Sequence, residues 1–240
     1  MAPVFLDWLN FPKHSSWLDL GCGTGALSEA VHNRCEPSHL SCIDPSSEFL
    51  EKAKQRLHGY GDLAIGDATD IPKADNSFDI IVSGLALNFF PDLHASLIEM
   101  KRVLKPNGTV AAYVWDYAGR MDFLRAFWDA AVELDPNAHE LDEGNRFSIC
   151  DHVELESAFK KAGLIEIQSS FLVINIVFKD FDDCWNPFLG KQGPAPGYLA
   201  TLSEERRGQL RKRVCKKLPI ARDGSISLLA RTIAIRGIRE

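Results

Sequence analysis

Trp17-Leu18-Asp19-Leu20-Gly21-Cys22-Gly23-Thr24-Gly25-Ala26-Leu27 is the stretch that decides the fold. A short apolar run ends in three glycines at alternate positions, and a helical pattern follows. The spacing predicts a strand at Trp17–Leu20, a tight turn, and a helix with Leu27, Ala30 and Val31 on one face and Thr24 as its N-cap. Glycine is needed where backbone turns with positive φ or lies against a ligand with no Cβ between them. The turn therefore reads as a cofactor cradle.

The same alternation continues outward. His39–Ile43, Leu63–Ile65, Phe78–Ser83 and Thr109–Trp115 read as further strands, with Phe78–Ser83 a near-continuous apolar run of the kind buried on both faces. A helix with Phe49, Leu50, Ala53 and Leu57 at helical spacing lies between the second and third strands. Another, with Leu93, Leu97, Met100 and Leu104, precedes a turn at Pro106-Asn107-Gly108. Five strands separated by helices argue a parallel, doubly wound α/β sheet. Before it, Val4–Leu9 predicts a short helix ended by Pro12. After Trp115 the rhythm breaks. A helix near 121–134 and a polar loop are followed by the capping box Asp151-His152-Val153-Glu154, whose helix ends at Gly163. Leu164–Phe178 is strand-like, with a kink near Ser169-Ser170. A loop from Asn186 to Tyr198 and a basic helix capped by Thr201 and Glu204 precede a last strand at Ser225–Ile235. The chain reads as a single domain over 1–240, with insertions at about 116–150 and 179–222.

Bulk composition excludes several classes. With 240 residues, 45% hydrophobic and 25% charged, the chain is long enough for one large soluble domain. A net charge of -6 gives no reason to expect nucleic acid as a partner. No apolar run approaches a membrane span, and the first ten residues do not read as a secretory signal. The six cysteines have no paired spacing, so neither a metal site nor a disulfide framework is expected, and a cytoplasmic location is the default.

The glycine loop alone fits two cofactors. Gly21-Cys22-Gly23-Thr24-Gly25-Ala26 satisfies the dinucleotide pattern, with Asp44 about 20 residues on. Against a nicotinamide cofactor stand Asp19, an acid two residues before the first glycine, and a second acidic strand end at Asp67-Ala68. Together with these, Leu18–Gly25 resembles the first motif of class I S-adenosylmethionine (SAM)-dependent methyltransferases. Cys42-Ile43-Asp44-Pro45-Ser46 resembles their second motif, and Gly66-Asp67-Ala68 the next. Phe78–Ser83 and Glu99–Gly108 resemble the later segments. The resemblance covers roughly residues 17–115 and looks closest to the small-molecule branch that includes quinone-biosynthesis methyltransferases.

The resemblance implies a Rossmann-like seven-stranded sheet of order 3-2-1-4-5-7-6, with the seventh strand antiparallel. It implies SAM as methyl donor and S-adenosylhomocysteine (SAH) as product. Gly21, Cys22, Gly23 and Gly25 are expected to meet the methionyl part of SAM, and Asp19 its ammonium end. Asp44, followed by Pro45, can accept from both ribose hydroxyls as a charge-assisted pair. Asp67 and Ala68 are expected at the adenine, and Ser83, Gly84 and Leu85 on the methyl-donor side. Read alone, Asp44 is equally a helix-start acid and Asp67 a turn residue.

The acceptor side is less defined. Asp116 and Asn88 are candidates for catalytic contact, with Asp116 as a base set against a turn role. Trp115 and Tyr117 are substrate candidates by position, and Arg146 is a candidate for holding a substrate carboxylate. Trp185, Phe188 and Tyr198, in or beside the 186–198 loop, are candidate walls of an acceptor pocket beneath a lid, or ordinary packing. The expected partner is a small-molecule acceptor, and a homo-oligomer stays open. An NAD-dependent oxidoreductase, and a SAM-binding subunit without catalysis, remain as alternatives.

Overall fold

The computed structural model describes residues 1–190 and 193–240. In chain order its elements are α1 (Ala2–Leu9), β1 (Ser16–Leu20), α2 (Ala26–Cys35), β2 (His39–Asp44), α3 (Ser47–Leu57), β3 (Asp62–Ile65), β4 (Phe78–Gly84), α4 (Leu93–Val103) and β5 (Leu104–Trp115). There follow α5 (Asp122–Leu134), α6 (Glu143–Arg146), α7 (His152–Lys161), β6 (Ile165–Phe178), α8 (Phe181–Trp185), α9 (Pro194–Thr201), α10 (Glu204–Lys217) and β7 (Ile226–Ile238). The seven strands form one sheet of order β3-β2-β1-β4-β5-β7-β6. β1 to β5 pair in parallel, with Asp19 beside Cys42 on one side and Val82 on the other. β7 runs antiparallel to β5. Asn107 N–H donates to Arg239 O, and nine residues later Asp116 N–H donates to Arg231 O, eight residues earlier in β7.

The chain forms two compact units. The first comprises Met1–Val114, Asp151–Leu172 and Ile233–Glu240; the second comprises Trp115–Cys150 and Val173–Thr232. Both stretches read as insertions fall within the second. In the first unit, β1 is buried along its whole length, as a central parallel strand must be. One face of its sheet, with Trp17, Ile80, Val82, Ala111 and Tyr113, packs with Phe5, Leu9, Leu27 and Val31 from α1 and α2. The second unit has its own core, in which Phe127, Trp128, Trp185, Phe188, Tyr198, Leu210 and Val214 are buried.

Local readings differ from the structure in four places. Thr24 does not cap α2: Gly25, at φ +79°, takes the N-cap position without a side-chain bond. Pro106-Asn107-Gly108 is not a turn between elements but a bulge inside β5, with Asn107 at φ +63°. Thr201 and Glu204 do not cap α10; Ser203 does, accepting from Arg206 N–H, while Thr201 donates to Tyr198 O. The 186–198 stretch is not a plain loop. It carries a 3₁₀ turn at Asn186–Leu189 and the start of α9, whose first residue Pro194 needs no intrahelical N–H donor. Lys191 and Gln192 of that stretch lie outside the described residues.

Candidate functional site

In the first unit, the carboxyl ends of β1, β2, β3 and β4 surround a cavity of about 480 Å³. The turn after β1 makes its floor. Gly21, Gly23 and Gly25 all have positive φ, which a Cβ disfavours. Gly21 and Cys22 both donate their N–H to Ile43 O, at 2.8 and 3.1 Å, so the turn is pinned to β2. At the end of β2, Asp44 Oδ2 accepts from Gly23 N–H at 2.8 Å and Oδ1 from Ser46 N–H at 2.9 Å. Each oxygen keeps a lone pair for a further donor.

Asp19 is fully buried in the wall. Its Oδ2 accepts from Ser28 Oγ at 2.5 Å, while Oδ1 has no hydrogen-bond partner among the described residues. Burial, and to a smaller extent the charge of Asp44, push its carboxyl up to about 7 against the opposing bonds from Ser28. After β3, Asp67 Oδ1 accepts from the Thr69 N–H and hydroxyl at 2.8 and 2.6 Å, and these bonds hold its carboxyl below the usual range. Ala68 is buried beside it. After β4, Leu85 stands at φ +61°, and its N–H donates to Tyr113 O at 2.8 Å. Phe49, Phe90 and the Tyr113 ring add aromatic surface to the wall.

A methyltransferase-domain family matches residues 18–112, the span that holds this cavity. The demethylmenaquinone methyltransferase of Staphylococcus aureus is 29% identical over 169 residues, covering 65% of this chain and 70% of that protein. Among solved structures, the YcgJ protein of Bacillus subtilis aligns over 100% of this chain and 98% of its own, at 21% identity and a TM-score of 0.64. A phosphoethanolamine N-methyltransferase from Haemonchus contortus, solved with S-adenosyl-L-methionine, aligns over 98% of this chain and 51% of its own, at 17% identity and a TM-score of 0.59. Residues 18–112 match a methyltransferase domain, on a methyltransferase fold.

A methyltransferase domain over these motifs speaks against the nicotinamide reading of the glycines. The cavity suits SAM chemically. An orphaned buried carboxylate oxygen on Asp19 suits a cationic amine. At Gly23 an added Cβ would meet nothing within 4 Å, so the turn leaves its backbone open there.

The structure brings Asp19, Gly21, Cys22, Gly23, Asp44, Pro45, Asp67, Ala68, Gly84 and Leu85 to one wall. Gly25 has a different place: an added Cβ would lie 3.2 Å from Ala53 Cβ, so this glycine lets α2 approach α3. Ser83 Oγ and Asn88 Nδ2 are buried without partners and lie outside that wall.

Apart from Asn88, which is in the first unit, the acceptor-side candidates fall in the second unit, and most are structural there. Asp116 is buried and accepts from Arg231 Nε at 2.5 Å and from Gly119 N–H at 2.9 Å, so it closes a turn and an ion pair rather than standing as a free base. Tyr117 is buried against Phe147, with ring centroids 5.7 Å apart, and the Arg146 guanidinium lies over the same Phe147 ring at 5.5 Å. Phe188 stacks between Phe123 and Phe127, at 4.2 and 4.4 Å. Trp185 and Tyr198 join the same aromatic core, so all three are packing residues rather than exposed pocket walls. Trp115 is half-buried at the end of β5.

Phe49, Phe90 and Tyr113 are wall residues that motif reading misses. Tyr113 had a signal: it shares a face of β5 with Ala111 at the period of two, so it points to the side that α1 and α2 cover. Phe49 lies one helical turn past the Ser46 cap, which aims it back toward Asp44.

Proposed function

We propose that this methyltransferase moves a methyl group from SAM to a small, neutral organic acceptor, with Asp19, Gly21, Gly23, Asp44, Asp67 and Ala68 holding the cofactor. The observation that carries the reading is the row of three carboxylates at successive parallel strand ends, each with acceptor capacity left over. Asp19 Oδ1 would serve the ammonium, Asp44 the ribose hydroxyls and Asp67 the adenine amine. The Ala68 N–H would donate to a ring nitrogen.

Bound SAM supplies an electrophilic methyl group and leaves as SAH. With SAM bound, the acceptor's electron pair would take the methyl group as the C–S pair returned to sulfur, and the acceptor would release its proton to bulk solvent. The protein's part is alignment and exclusion of water. Gly84 and Leu85 bound the cavity at the end of β4, beside Tyr113. Burial raises the Tyr113 phenol and contributes to the raised Cys22 thiol, so neither is a ready base. This favours an acceptor that loses its own proton easily. A phenol or quinol meets that need, in keeping with the quinone substrate in the name of the Staphylococcus relative.

The test has two arms. Calorimetry should show micromolar-range binding of SAH and none of NADH. Incubation with methyl-labelled SAM and a demethylated naphthoquinol should label the quinol. An intact protein that ignores SAH sinks the reading.

A further inference from the structure

A second cavity, of about 510 Å³, lies in the same unit between the first turns of α1 and the outer face of α2. It shares Ala26, Leu85 and Tyr113 with the cofactor cavity. These three residues line both spaces, which therefore meet at them.

The lining has a definite chemistry. Met1, Ala2, Pro3, Ala26, Ala30 and Leu85 make it mainly apolar. Its charged side chains are neutralised within the protein. Arg34 pairs with Asp7, and Glu29 pairs with Arg56 at 3.0 Å. The Met1 α-amine also belongs to the lining, and burial disfavours its charged form; among the described residues a charged ligand would find no unpaired side-chain charge, and desolvating it would be uncompensated. The groove's uncharged polar side chains are Asn33 and, where the two cavities meet, Tyr113. Its ring packs on Phe5 with centroids 4.6 Å apart. Its hydroxyl occupies space that only a glycine at 84 leaves open, since a Cβ there would come within 2.7 Å. Burial, and then the nearby Asp19 charge, keep this phenol protonated, so it is a hydrogen-bond donor. Leu85 adds a second mark of function. A leucine at φ +61° is strained, and the strain sits at the point where the two cavities meet.

We propose that this groove is the acceptor site, and that it takes an uncharged, largely apolar molecule whose oxygen is oriented by the Tyr113 hydroxyl. The inference rests on the cofactor cavity holding SAM. It places the acceptor on α1 and α2, in the first unit, and not among the aromatic residues of the second.

The test uses 1-naphthol as a fluorescent probe, titrated into the full chain saturated with SAH so that the cofactor space is filled. The wild type should bind the probe saturably. Ala30→Trp should weaken it at least 10-fold, Ala30→Leu about 2- to 5-fold, and Tyr113→Phe about 3- to 10-fold. Both Ala30 variants should keep the SAH dissociation constant within 2-fold, which shows that they are folded; Ala30→Leu carries the test if the tryptophan is not accommodated. A charged analogue, 1-naphthylmethylammonium, should bind at least 10-fold more weakly than 1-naphthol. Equal binding of the two probes overturns the assigned chemistry. Probe binding that is unchanged in the Ala30 variants overturns the location. A wild type that binds SAH but not naphthol overturns this proposal alone, whereas one that binds neither overturns the cofactor reading and this with it.

Discussion

Asp44 Oδ2 accepts the Gly23 N–H at 2.8 Å, tying the end of β2 to the middle of the glycine turn that follows β1. One carboxylate therefore shapes the cradle and forms part of its wall. Its other oxygen takes the Ser46 N–H and fixes the start of α3. The two halves of the site are held in register by this side chain.

Asp44→Ala should weaken SAH binding by about 1–3 kcal/mol, the scale of a lost charge-assisted hydrogen bond together with a loosened turn. In a calorimetric titration this is roughly a 5- to 150-fold rise in the dissociation constant. Asp44→Asn retains one acceptor oxygen and should recover part of the loss. An alanine variant that binds SAH like the wild type would remove Asp44 from the site.

Gly21 and Gly23 should separate stability from binding. Both have positive φ, so an alanine at either position costs about 1–2 kcal/mol from backbone strain. At Gly21 the added Cβ would also lie 2.7 Å from Ala86 Cβ, whereas at Gly23 it would enter open space. Urea denaturation should therefore show the larger stability loss for Gly21→Ala. Gly23→Ala should lose little more than the backbone term while weakening SAH binding, because the space its methyl enters is the cavity.

This contrast shows what the chain makes legible. The central strands are apolar runs with turn residues at their ends, and the acids stand where parallel strands must open to a ligand. Sheet order, cofactor class and Asp19, Asp44 and Asp67 were therefore accessible by local reading joined to the family resemblance. The second unit was not. Phe188 in a glycine- and proline-rich stretch looks the same whether it walls a pocket or stacks between Phe123 and Phe127. Asp116 reads as a turn residue or a base, and the turn is what forms; its ion pair is not legible because Arg231 lies 115 residues away. Tyr113 is an ordinary strand tyrosine until α1 folds over it and leaves a groove.

Arg231→Ala should destabilise the protein by about 3 kcal/mol in urea denaturation. It removes the cation from a carboxylate with only 8% of its side chain exposed, and a buried charge left alone is costly. Asp116→Asn should cost less, because the Arg231 guanidinium that loses this carboxylate is more exposed, at 26%, and can be hydrated. Neither change should alter SAH binding. If Asp116→Asn instead kept full stability and abolished methyl transfer, Asp116 would be a base after all.

Asp19 should make both stability and cofactor affinity depend on pH, in opposite directions. Its carboxyl is raised from an ordinary 3.8 to about 7, chiefly by burial. The folded, cofactor-free chain therefore keeps a proton that the unfolded chain releases. The stability this contributes is fully present below about pH 3.8 and is lost as pH rises through about 7. Thermal melts of the cofactor-free protein should accordingly decline between about pH 4 and 7 and level off above, and Asp19→Asn should flatten that slope by removing the titrating group. Binding has the reverse sign. An ammonium at Oδ1 favours the ionised carboxylate, so SAH affinity should rise over the same window and level off above about pH 7. At pH 6.5, calorimetry in buffers of different ionisation enthalpy should record proton release on binding. Proton uptake, or an unchanged stability slope in Asp19→Asn, would show that Asp19 is not the titrating group that meets the cofactor.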